Sequence, residues 1–205
     1  MRISLALIVF CTIGRVMLHE LLNHQQGVLS SQSGVCFYGE AAERILELAR
    51  NDLNSKCSGR RPRNCNDIPD SCPSGVYKVY PKHTTGYNVY CEMKIDGGHW
   101  TVFQRRENGY TNFIRGWNDY KNGFGDLKHE FWLGNKKMHM LSSQGKYEMR
   151  IDLTDFDGNH AFAKYNDFKI GDENSKFKLT ANGYFGTAGN SLEHHNGIPF
   201  STNGQ

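Results

Sequence analysis

The stretch from Gly97 to Leu141, GGHWTVFQRRENGYTNFIRGWNDYKNGFGDLKHEFWLGNKKMHML, constrains the fold of this chain more than any other. It contains all three tryptophans, Trp100, Trp117 and Trp132, with Phe103, Tyr110, Phe113, Tyr120, Phe124 and Phe131 among them. Each such ring removes roughly 150–250 Å² from water when buried, so the stretch predicts the centre of a core. Glycines at Gly109, Gly116, Gly123, Gly125 and Gly134 interrupt it too often for one helix or one strand. The reading is a core made of short pieces that turn repeatedly and keep their rings inside.

Extended segments flank this centre. Val76 to Tyr80 and Tyr87 to Met93 are rich in β-branched and aromatic residues and are joined through Pro81 and Thr84-Thr85-Gly86, which predicts a hairpin. Tyr147, Met149, Ile151 and Leu153 alternate with Glu148, Arg150, Asp152 and Thr154, the period of a half-buried strand, and Ala161 to Tyr165 returns antiparallel to it. Between these two stands DFDGN, Asp155 to Asn159. It opens like a calcium loop, but the twelfth position, where such a loop needs a bidentate Glu, is Asn166. The turn reading is preferred, with Asp157-Gly158 supplying positive φ.

The N-terminal region has a different character. Arg2 followed by the apolar run Ile3 to Ile13 resembles a secretory leader and is too short for a bilayer, which takes about 20 residues. Cleavage is expected near the small residues Thr12 and Gly14, or as late as Gly27. From Tyr38 to Lys56, Ala42, Ile45, Leu46, Ala49 and Leu53 recur at helical steps, which suits either an oligomerising neck or a helix lying on its own domain. Ser58 to Asn64 reads as an arginine-rich linker. The expected organisation is therefore leader and start of the mature chain at 1–27, a short region with a helix at 28–55, and one domain at 56–205.

Secretion permits disulfides. With Cys11 removed, Cys36, Cys57, Cys65, Cys72 and Cys91 remain, an odd number, so one thiol is left to link two chains. No C-x-x-C pair marks a zinc site, His129-Glu130-Phe131-Trp132-Leu133 lacks the second His of H-E-x-x-H, and neither a G-x-S-x-G elbow nor a P-loop occurs. An enzyme is not expected. A net charge of +3 from 24 basic and 21 acidic residues makes no basic face for nucleic acid.

WTVFQRR at Trp100–Arg106, the NF pair at Asn112 and Phe113, the run from Trp117 through YKNGFG to Gly125, and EFWLGN at Glu130–Asn135 resemble the fibrinogen C-terminal (fibrinogen-related) domain family, nearest its tachylectin- and ficolin-like branch. The resemblance runs from about Cys65 to the last residue. His99 departs from it, standing where the family usually has a third glycine after Gly97 and Gly98. The resemblance implies an α+β fold in which a small disulfide-stapled hairpin subdomain precedes a central antiparallel sheet with short helices. It also implies a bond between Cys65 and Cys91, leaving Cys72 to pair with Cys57 or Cys36. The implied function is secreted innate-immune recognition of acetylated glycans on microbial surfaces, the alternative being clotting-type assembly, with oligomers formed through the odd cysteine or the helix at 38–56. In the family, Gly186 to Thr202 leads into an Asp-x-Asp calcium loop and an acetyl-group pocket, so the resemblance implies that the domain at 56–205 is incomplete at its C-terminus, that the calcium and ligand subdomain with its carbohydrate-binding residues lies beyond Gln205, and that these 205 residues alone are not ligand-competent. With Glu193 the one acid from Gly183 to Gln205, no calcium is expected to bind there.

Overall fold

A computed structural model of the chain describes residues 61–202, together with 2–7, 28–31, 34–37, 40, 43–48, 56 and 57. The apolar run beyond Leu7, the cleavage regions, the linker up to Arg60, most of the 38–56 helix and Asn203–Gln205 lie outside the described residues. The chain forms two compact units, Met1–Cys11 with Arg61–Gln205, and Thr12–Arg60.

Strand β1 (Arg2–Leu7) comes first and belongs to the larger unit. In the smaller unit β2 (Val28–Ser31) and β3 (Gly34–Phe37) form an antiparallel hairpin, and residues 43–48 are helical (α1). Ile45, Leu46 and Leu48 on this helix are exposed.

The larger unit continues with β4 (Gly75–Val79), β5 (Tyr87–Glu92), β6 (Trp100–Val102), β7 (Gln104–Arg105), α2 (Trp117–Asn122) and β8 (Phe124–Gly125). It ends with β9 (Phe131–Trp132), α3 (Asn135–Ser142), β10 (Glu148–Thr154), β11 (His160–Ile170) and β12 (Leu179–Gly186). Seven strands make one sheet in the order β12-β11-β10-β1-β6-β5-β4, and β7, β9 and β8 make a second. The β4–β5 hairpin forms at the segments its composition marked, and it joins the main sheet through β6. Cys91 on β5 is bonded to Cys65, their Cα atoms 5.5 Å apart, while Cys57 and Cys72 are each in a disulfide as well.

β10 and β11 pair antiparallel from Met149↔Tyr165 to Thr154↔His160. Asp155 closes their turn: its carboxylate accepts from the backbone N–H of Asp157 and Asn159 and from Asn159 Nδ2, with Gly158 at φ +84°. β1 is the element that local pattern did not foretell as a strand. It runs parallel to both neighbours, in register from Arg2↔Glu148 to Leu7↔Leu153 on one side and at Ile3↔Thr101 and Ser4↔Val102 on the other. Two strands facing each other across a gap present bare N–H and C=O groups, and a strand between them satisfies both.

The aromatic stretch splits in two. Trp100, Phe103 and Phe131 are buried. Trp117, Tyr120, Phe124 and Trp132 are half-buried and pack on one another and on distant rings, with Trp117 5.6 Å from Phe177 and Trp132 6.0 Å from Phe200. Tyr110 corrects the expectation that every ring turns inward, because it is 91% exposed.

Candidate binding site

Tyr110 is exposed because its loop is held from below. Glu130, next to β9, is 2% exposed, and its Oε1 accepts from the backbone N–H of Glu107, Asn108 and Gly109 at 2.8, 3.1 and 2.9 Å. Its Oε2 accepts from Thr111 N at 2.8 Å. Burial pushes this carboxyl up, but the four backbone donors outweigh it and hold it at about 2. Arg106 completes the cradle, its guanidinium donating to Thr111 O at 2.9 Å and lying 4.1 Å from the Phe113 ring centroid. Asn108 and Asn112 accept from Tyr110 N and Ile114 N in local turns, and Tyr120 OH donates to Phe113 O. The backbone from Glu107 to Ile114 is thereby fixed, while Tyr110 and Ile114, 79% exposed, project from it.

A second feature is a cavity of about 390 Å³ between the apolar side of β10 and β11 and the loops leading to Phe200. Phe103, Trp132, Met149, Phe168, Ile198 and Phe200 are among the residues lining it, and no charged carboxylate or ammonium group does.

Asp155, Asp157 and Asn159 serve the hairpin turn already described, and none of them lines the cavity. His129, His194 and His195 are exposed, and among the described residues no group of three His, Cys, Asp or Glu side chains is placed to hold a metal ion. His99 adopts φ +65° in the place where the resemblance expects glycine, its ring bridging Cys65 O at 3.3 Å and Asp70 Oδ1 at 2.9 Å. Among the described residues no helix is long and apolar enough to cross a membrane. Sequence reasoning missed the Glu130 cradle. The signal available was a single Glu set in an otherwise apolar run, EFWL, which by itself does not say what the carboxylate binds.

Residues 61–205 match the family described as fibrinogen beta and gamma chains, C-terminal globular domain. Fibrinogen-like protein A of Apostichopus parvimensis is 51% identical over 146 residues, covering 69% of this chain and 52% of that protein. Fibrinogen C domain-containing protein 1 of Mus musculus is 47% identical over 208 residues, 91% of this chain and 45% of that one. Ryncolin-4 of Cerberus rynchops is 46% identical over 149 residues, 71% of this chain and 43% of that one. The chain thus spans about half the length of the curated relatives it matches. Among solved structures, the fibrinogen-like globe domain of human ANGPTL2 superposes with a TM-score of 0.66 at 38% identity, covering 69% of this chain and 67% of that one. Lamprey fibrin D-dimer complexed with the peptide Gly-His-Arg-Pro-amide superposes with a TM-score of 0.65 at 32% identity, covering 79% of this chain and 59% of that one. With this match over residues 61–205 and these globe-domain neighbours, the chain belongs to the fibrinogen C-terminal domain family.

Proposed function

We propose that this protein is an extracellular recognition module of the lectin-like kind, binding acetylated carbohydrates and catalysing no reaction. The observation that carries the reading is the loop of Glu107 to Ile114, whose backbone is locked by a buried carboxylate while Tyr110 stands almost wholly in solvent. An exposed ring on a fixed backbone loses little conformational freedom when a ligand covers it, which is the economy binding surfaces use. Acetylated sugars present apolar ring faces and methyl groups that such a ring can cover. The secretory character of Arg2 to Ile13 supports an extracellular setting, and the exposed Ile45, Leu46 and Leu48 support self-association through α1.

The test is retention of the natural full-length product on N-acetylglucosamine resin, with glucose resin as control. Wild type is expected to be retained selectively, and Tyr110→Ala to elute at least several-fold earlier with unchanged thermal unfolding. Equal elution from both resins would overturn the reading. A second reading, assembly through a peptide, is favoured by the peptide-bound lamprey neighbour. Saturable binding of a short basic peptide, with no binding of acetylated sugar, would select it.

A further inference from the structure

The turn of the β4–β5 hairpin meets the end of α2 and the first turn of α3 around a further pocket, also of about 390 Å³ and within the roughly 300–1,000 Å³ of small-ligand sites. Its walls are fixed by hydrogen bonds. Thr84 Oγ1 donates to Pro81 O and accepts from Gly86 N, which holds the turn, and Tyr87 OH donates to Lys137 O at 3.0 Å, which ties the hairpin to α3. Three basic side chains, His83, Lys136 and Lys137, line the pocket, and no Asp or Glu does. Lys137 is half-buried, and burial pushes its amine down. A desolvated ammonium is ordinarily paired with an anion. Here Nζ donates to a neutral carbonyl, Asn122 O, at 3.2 Å, a bond that neutralises none of its charge. Asn122 and Lys136 are exposed and both line the pocket, so this end of Lys137 is approached from solvent. An anion beside Nζ would supply the missing charge, and Lys136 and His83 add to the field that attracts it. An inorganic ion would fill little of the volume. The remaining lining offers the Tyr87 ring and the Met140 thioether as apolar surface and the exposed Thr85 hydroxyl as a polar partner, the mixture that a sugar ring presents in return.

We propose that this pocket binds a sugar bearing an acid group, a carboxylate or a sulfate ester, whose anionic oxygens accept from Lys137 Nζ while its ring lies against Tyr87 and Met140. No residue from Glu107 to Ile114 lines the pocket, so the site is separate from the Tyr110 loop and does not rest on what that loop binds.

D-glucuronate, glucose 6-sulfate and glucose share a ring and differ in the group on its sixth carbon, and they test this on the full chain at matched ionic strength through the amide chemical shifts of Thr85, Lys136 and Lys137. At least one of the two acids is expected to bind about tenfold more tightly than glucose, the scale of one charge-assisted hydrogen bond, and the tighter of them identifies the acid group. In Lys137→Met, which keeps the length of the side chain and removes its charge, that preference disappears. In Tyr110→Ala it is unchanged, which separates this site from the exposed ring. Should Lys137→Met fail to fold, acylation of wild type by succinimidyl acetate gives an independent reading: the tighter acid is expected to slow modification of Lys137 severalfold and to leave the exposed Lys169 on β11 unaffected. Equal binding of glucose and both acids, inorganic sulfate binding as tightly as either acid, a preference that survives Lys137→Met or is lost in Tyr110→Ala, or no protection of Lys137 would each overturn the proposal.

Discussion

Glu130 is 2% exposed, carries a charge, and accepts four backbone hydrogen bonds from a loop about twenty residues earlier. Its carboxyl lies at about 2 in the folded chain, against roughly 4.3 for a free Glu. The folded value is the lower one, so the stability it confers is complete above about pH 4.3 and is lost as pH falls toward 2. A shift of this size corresponds to on the order of 3 kcal/mol. Glu130→Gln keeps one oxygen for the three donors at Glu107, Asn108 and Gly109 but turns an NH₂ toward Thr111 N. It should lower the unfolding free energy by roughly 2–4 kcal/mol at pH 7. In urea titrations the gap between the two proteins should narrow between pH 4.3 and 2. A gap that stays constant over that range would mean that shape, not charge, holds the loop.

The elements around the second sheet meet backbone to backbone. Gly134, before α3, has φ +107°, and a Cβ there would fall 2.6 Å from the carbonyl carbon of Asn122 at the end of α2. Gly123 mirrors it, with a Cβ 2.3 Å from Leu133 O. Lys137 Nζ then donates to Asn122 O at 3.2 Å, a cation at the end of α2 where the helix dipole favours it, although burial pushes its amine down. Gly109 also has positive φ, +79°, but a Cβ there meets nothing within 4 Å. The pair separates backbone strain from collision. Gly109→Ala should cost about 1–2 kcal/mol, the left-handed penalty alone, and Gly134→Ala should cost at least about 2 kcal/mol more. Equal melting temperatures for the two variants would show that α2 and α3 yield to the extra methyl.

At the scale of the molecule, the main sheet depends on what lies between β6 and β10. In the structure it is β1, drawn from the same apolar segment that reads as a leader. If secretion removes it, β6 and β10 lose the strand they share, and bare edges invite pairing with another chain. Hydrogen exchange tests the point. Amides from Met149 to Leu153 should exchange at least tenfold faster in protein that starts after Gly27 than in protein that retains residues 2–7, while β11 and β12 keep their protection. Equal protection would mean that the sheet does not rely on β1.

Several elements were legible in the sequence because their information is local. The β4–β5 hairpin, the alternation of β10 and the turn at Asp155–Asn159 follow from side-chain period and turn chemistry, and the family strings from Trp100 to Asn135 name the fold. Trp100, Phe103 and Phe131 were legible as core from their chemistry alone. Tertiary structure decided the rest. Period says which side of a strand faces inward, but it does not say which distant element forms the opposite wall: Phe200 against Trp132, Phe177 against Trp117, β1 between β6 and β10. The same holds for polar groups. Glu130 finds its donors in the Glu107–Thr111 backbone, which carries Tyr110 outward, while Asn135 accepts from Trp132 at its oxygen and keeps its nitrogen buried without a hydrogen-bond partner. A hydrogen bond is decided by where folding brings donor and acceptor together in space, and for a buried side chain that place is set by elements far away in the chain.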